Sequence, residues 1–242
     1  MRISLALAFV LLAITQYVGP IAATAYAALA SLLLGLGWPH LLKVPARRTL
    51  AWVITSSGII AAVVSYFGNG GLGMLIPIMA LAVIATFIVQ LFRGTGRPYR
   101  LQSLIGTSAA AFLATLGSGW VVLARLPDHQ LVYVTAAAGF VGAFFVARQL
   151  SYVAQGFGAA ASIAVGIAAG VALQIPWVWL LPTVLLTAAA GFVFRLVAER
   201  SAALPSNRSL VAAALTPICA LGPVLFYLQV FMSGSFYKLI TF

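Results

Sequence analysis

The apolar residues of this chain fall in runs long enough to cross a hydrocarbon layer as α-helices, which takes roughly 20 residues each. Such runs extend from about Leu50 to Phe67, Met74 to Phe92, Leu101 to Ala124, Leu131 to Ala147, Gly156 to Leu173, Trp177 to Phe194 and Leu210 to Met232. The first run, Ile3 to Trp38, is too long for one ordinary span and carries Gly19-Pro20 at its middle. That pair ends one helix and turns the chain into the next, so two short helices are expected there. Residues 1–30 also offer the parts of a secretory signal, with Arg2 as basic start and Ala23 to Ala30 as small residues, but the apolar stretch continues past any cleavage point. The pattern predicts an all-α fold, a polytopic transmembrane helical bundle of about nine helices (eight to ten) forming a single integral membrane domain over 1–242.

Composition agrees with this. Of 242 residues, 64% are hydrophobic and only 6% charged, whereas a soluble domain keeps about a quarter of its residues charged. Orientation follows from the cations, because short loops rich in Lys and Arg stay cytoplasmic. With the N-terminus inside, one set of segments holds Arg2, Lys43, Arg47, Arg48, Arg93, Arg97, Arg100, Arg148, Arg195, Arg200 and Arg208, and the opposite set only Arg125 and Lys238. The expectation is N-in and C-out, multi-pass, in a cytoplasmic membrane. Arginine dominates the cations, and with heavy use of Ala, Gly and Val this is the composition of a GC-rich bacterial genome.

The two acids, Asp128 and Glu199, decide which chemistry is open. Metal sites, general acids and proton relays are built mainly from Asp, Glu and His. Asp128 and His129 share a short external loop with Arg125 and read as solvated loop residues, while Glu199 sits beside Arg200 and four residues after Arg195 as a helix-end ion pair. No metal, no cofactor and no catalytic residue is expected, an enzyme is disfavoured, and no feature suggests nucleic acid. Cys219 lies in an apolar run between Pro217 and Pro223 and reads as a small buried hydrophobe. Prolines within the spans, Pro77, Pro182, Pro217 and Pro223, free backbone carbonyls and bend helices, as transporters do around midplane sites.

Two patterns are candidate sites. Gly158, Ser162, Gly166 and Gly170 recur every four residues on one helix face, which lets a second helix approach closely. Packing inside the bundle is the first reading of that face and a homodimer the second. A weaker series, Gly106, Ala110, Ala114 and Ser118, marks the fifth span. The loop from Arg93 to Arg100 sets Arg93, Arg97 and Arg100 around two glycines, and guanidinium forks suit phosphate oxygens. With Arg200 and Arg208 these form a candidate site for anionic headgroups of membrane lipids.

The segment from about residue 90 to 230 resembles the phosphatidate cytidylyltransferase family, the multi-helix enzymes that make CDP-diacylglycerol. Nine helices, basic cytoplasmic loops and a last loop leading into a Pro- and Tyr-containing final helix carry the likeness. In that loop Arg200, Pro205 and Arg208 fit the family, Glu199 stands where Lys is expected and Asn207 where Asp is, and the Lys-Asp and His-Gly-Gly motifs are missing. The helix Leu131 to Arg148 offers Thr135 and Gly139 but not the family's Asp. The resemblance implies shared ancestry with loss of activity, since two-metal phosphoryl transfer needs clustered carboxylates to hold Mg²⁺. The expectation is a non-catalytic membrane protein that binds lipid or a membrane partner complex. A small permease or lipid flippase without carboxylate coupling is the alternative, and a membrane-lipid transferase the third choice.

Overall fold

The computed structural model describes residues 2–42, 47–68, 72–92, 100–126, 130–145, 152–200 and 207–233. Within them the chain is all-α: α1 (Arg2–Val18), α2 (Pro20–Leu41), α3 (Arg47–Phe67), α4 (Leu75–Phe92), α5 (Arg100–Leu116), α6 (Gly119–Leu123), α7 (Leu131–Phe145), α8 (Tyr152–Ala172), α9 (Trp177–Arg200) and α10 (Asn207–Met232). Five helical stretches are long and apolar enough to cross a membrane: Pro20–Leu41, Arg48–Phe67, Leu75–Phe92, Leu101–Leu123 and Asn207–Met232. Four shorter apolar helices complete the bundle.

The break at Gly19-Pro20 separates α1 from α2. Gly19 has φ 121°, a value an L side chain would resist, and Pro20 opens α2 where its missing N–H costs nothing. The fifth span is one rod in sequence but two pieces in space. Gly117 and Ser118 interrupt it, the Ser118 hydroxyl donates to the Thr115 carbonyl at 2.7 Å, and α6 resumes with all five of its residues buried. Pro182, by contrast, does not end α9, which runs on to Arg200, beyond the expected end at Phe194. Prolines are tolerated inside such helices because neighbouring groups re-satisfy the freed carbonyls.

The outer surface carries large apolar side chains, and the interior, though mostly apolar, also holds hydroxyls. Phe92 is 88% exposed and Trp52 73%, while Thr86, Thr107, Thr115 and Thr135 are buried. Each of these threonines donates its hydroxyl to the carbonyl four residues back, at 2.7–2.9 Å, so burial leaves that donor satisfied. Helix α10 lies at the centre, against α2, α5, α6 and α9, and α4 sits at the edge on α3 and α5. The main core joins Leu12, Leu34, Trp120, Ile218 and Phe226, and a second cluster forms around Leu131, Leu180 and Val184.

Helix α8 ends in a Schellman turn. The Ile175 N–H bonds the Gly170 carbonyl at 2.9 Å and the Gln174 N–H the Val171 carbonyl at 3.0 Å, with Gln174 in the left-handed region at φ 57°. Glycine usually fills that position, and a side chain there costs about 1–2 kcal/mol. Gln174→Gly is expected to stabilise the protein by about 0.5–1 kcal/mol after the larger entropy of an unfolded glycine is subtracted. Chemical unfolding in detergent, with wild type alongside, measures this.

Candidate functional site

The helix termini sort into two ends of the bundle. At one end α2 crosses α10, where a Cβ on Gly37 would overlap the Arg208 carbonyl and approach the Ala212 side chain. Trp38, one residue on, donates its indole N–H to the Gly106 carbonyl of α5 at 2.9 Å. Arg100 opens α5 six residues before Gly106, about 9 Å of helix rise. Helix α9 runs antiparallel to α10, since Leu228 and Met232 near the end of α10 pack on the cluster holding Leu180 near the start of α9. Arg200 therefore closes α9 at the end where Arg208 opens α10.

Of the five arginines predicted to hold anionic headgroups, Arg208 is exposed in the first turn of α10. Arg100 and Arg200 occupy helix termini at the same end, with their side chains outside the described residues. Arg93 and Arg97 lie outside the described residues altogether. Among the described side chains this end shows one exposed guanidinium, that of Arg208, beside the start of α5 and the end of α9.

The small-residue face of α8 points into the bundle. Gly158, Ser162, Gly166 and Gly170 are all buried. The Ser162 hydroxyl donates to the Ala138 carbonyl of α7 at 2.6 Å. A Cβ on Gly166 would stand 2.8 Å from Val184 Cγ2 of α9, and one on Gly170 would run into the Leu180 side chain. The face thus lets α7 and α9 close on α8. The weaker series behaves alike, with Ala110, Ala114 and Ser118 buried in the centre.

At the opposite end, Arg125 donates from Nη1 to the carbonyls of Ser65, at 3.2 Å, and Gly68. A guanidinium thus caps the carboxyl end of α3, where the helix dipole and free carbonyls favour a cation. Asp128 and His129, expected as solvated residues of the same loop, lie outside the described residues. Gln16, near the end of α1, donates to the Trp120 carbonyl at 3.0 Å. Gln229 in α10 is 1% exposed, and neither atom of its amide finds a hydrogen-bond partner among the described residues. Nothing in the sequence marks Gln229, because a lone amide in an apolar helix has no pattern around it.

Glu199 falls in the last turn of α9 with its side chain outside the described residues. Among the described residues no group of three or more His, Cys, Asp or Glu could hold a metal ion. Comparison of the chain with protein-family models, with curated proteins and with solved structures finds no match.

Proposed function

We propose that this chain is a non-catalytic multi-pass protein of a bacterial cytoplasmic membrane, N-in and C-out, which binds anionic lipid or a membrane partner complex through its basic end. A degenerate relationship to the phosphatidate cytidylyltransferases belongs to the same proposal. The observation that supports it is the distribution of charge: eleven of thirteen cations lie in the segments assigned inside, and Arg100, Arg200 and Arg208 share one end of the bundle. Each cation near an anionic surface contributes about 1 kcal/mol of attraction.

Replacing Arg93, Arg97, Arg100, Arg200 and Arg208 together with Gln is expected to strip bound anionic phospholipid from the protein. Native mass spectrometry of protein released from nanodiscs reads this directly. A folded variant that keeps its phospholipid defeats the lipid reading, and a stoichiometric second protein in the wild-type spectrum supports the partner complex.

The second reading, a small permease, is favoured by Gln229. A buried amide with open donors and acceptors in an apolar helix is the kind of group that lines a polar path. A substrate-dependent uptake defect in a deletion strain would support it.

A further inference from the structure

Between α1, α2 and α10 the structure contains a groove of about 250 Å³, open along one side. Each helix contributes a stripe at helical spacing: Ser4, Leu7, Ala8 and Leu11 from α1; Tyr26, Leu29, Ala30 and Leu33 from α2; and Val211, Ala214 and Leu215 from α10. Spacings of three and four residues keep each stripe on one face. The Tyr26 hydroxyl, the polar group at the floor, is already used, donating to the Ala8 carbonyl at 3.0 Å. Apart from Ser4, what remains of the lining is apolar.

Two of the stripes continue into polar side chains at the same end, one of them a guanidinium. Arg208 precedes Val211 by three residues and Leu215 by seven, so it stands one turn above the groove on the same face of α10. His40 follows Leu33 by seven residues on the groove face of α2. The crossing at Gly37 and Arg208 holds these two helices together just above the groove. From the crossing of Gly37 with Arg208 the groove runs eleven residues down α2 to Tyr26, about 16 Å of helix rise and roughly half of a hydrocarbon core about 30 Å thick. The groove therefore spans about the depth of one leaflet, below Arg208.

We infer that this groove seats one acyl chain of an anionic glycerophospholipid from the surrounding leaflet, with its phosphate at Arg208. The inference rests on the lipid-binding reading above and says where the tail lies. Three features choose this occupant. The groove is smaller than the about 300–1,000 Å³ of pockets that enclose whole ligands, so it takes a chain segment and leaves the rest in the bilayer. Leu7 and Leu29, both about half exposed, stand as walls on either side of an opening that faces outward. The guanidinium at the rim selects a negative headgroup over a zwitterionic one by charge, in a chain of net charge +11.

The test uses the full-length protein washed free of lipid in detergent and offered phosphatidylglycerol and phosphatidylcholine of equal chain length. Native mass spectrometry is expected to show phosphatidylglycerol retained at least fivefold over phosphatidylcholine. Phosphatidylglycerol carrying a diazirine midway along one chain should crosslink to peptides of α1, α2 and α10 in the unmodified protein. Leu29→Trp, which fills the groove from its exposed wall, should lower retention at least fivefold, and Arg208→Gln should abolish the headgroup preference. Crosslinks confined to α3, α4 or α8, or folded Leu29→Trp and Arg208→Gln proteins that retain lipid like wild type, would overturn the groove. If lipid is then still lost on replacing the five arginines, lipid binding stands and only the seat is wrong. A wild type that retains no phosphatidylglycerol sinks both.

Discussion

Trp120→Ala is expected to cost about 3–5 kcal/mol of stability, the range for deleting a large buried aromatic. Trp120 is 1% exposed and is the largest fully buried side chain among the described residues. It sits in α6, whose five residues are all buried, and joins three parts of the bundle. Its indole N–H donates to the Ile218 carbonyl of α10 at 2.8 Å, its backbone carbonyl accepts from Gln16 of α1, and its ring lies against Gly222. Alanine would leave a cavity at the centre and remove the donor. Trp120→Phe helps to separate these effects, because it keeps most of the volume while losing the hydrogen bond and three ring atoms, for a smaller cost of about 1–3 kcal/mol. Denaturant unfolding in detergent, followed by helical circular dichroism rather than by tryptophan emission, measures both. A Trp120→Ala protein as stable as wild type would mean that α6 is not part of the core.

Gly37→Leu is expected to be as damaging, by a different route. The obstacle at Gly37 is the Arg208 carbonyl together with the Ala212 side chain, and a backbone carbonyl cannot rotate aside as a side chain can. Overpacking of an ordinary core costs about 1–3 kcal/mol. Here α2 and α10 must separate, so the loss should exceed about 3 kcal/mol, with Gly37→Ala already clearly destabilised. Separation would also open the groove and displace Arg208, so the same variant should lose bound phospholipid. Gly191 provides the contrast, since a Cβ there would meet nothing within 4 Å. A protein with alanine at position 191 should therefore be unharmed or gain up to about 1 kcal/mol from helix propensity. Detergent-solubilised yield, size-exclusion profile and thermal midpoint distinguish the two glycines. Equal tolerance at both positions would show that α2 and α10 are not held in contact at Gly37.

Much of the fold was legible along the chain because each span must satisfy its own backbone within the helix, so apolar length maps onto structure with little ambiguity. The division at Gly19-Pro20 was visible for the same local reason, a φ that only glycine adopts readily beside a residue that starts helices well. The interruption at Gly117-Ser118 was not. Residues 101–124 read as one apolar run, and the break follows from α6 packing across α10, a contact between residues about 100 positions apart. Pro182 was expected within a span, and α9 continues through it.

The candidate site divides in the same way. Charge placement along the chain pointed to one end of the bundle, and the neighbours of individual side chains did not follow from it. The Arg125 guanidinium reaches the end of α3, about 60 residues earlier in the chain, a partner that no local pattern announces. The groove was equally hidden, because Leu7, Leu29 and Val211 belong to three separate apolar runs and nothing in any one run marks its residues as sharing a wall.

The sequence by itself determined that this is a helical protein with stretches long and apolar enough to cross a membrane, where most of its helices divide, and how the cations are spread along the chain. Hydrophobic length and helix-breaking residues are local properties, and they act before any two helices meet. Only the tertiary structure decided which small residues bring helices together, which carbonyls the long polar side chains reach, and that three apolar faces enclose a groove beneath Arg208. In an apolar medium every helix face is nearly equivalent by hydrophobicity, so pairing is chosen by shape and by a few hydrogen bonds that no local pattern records.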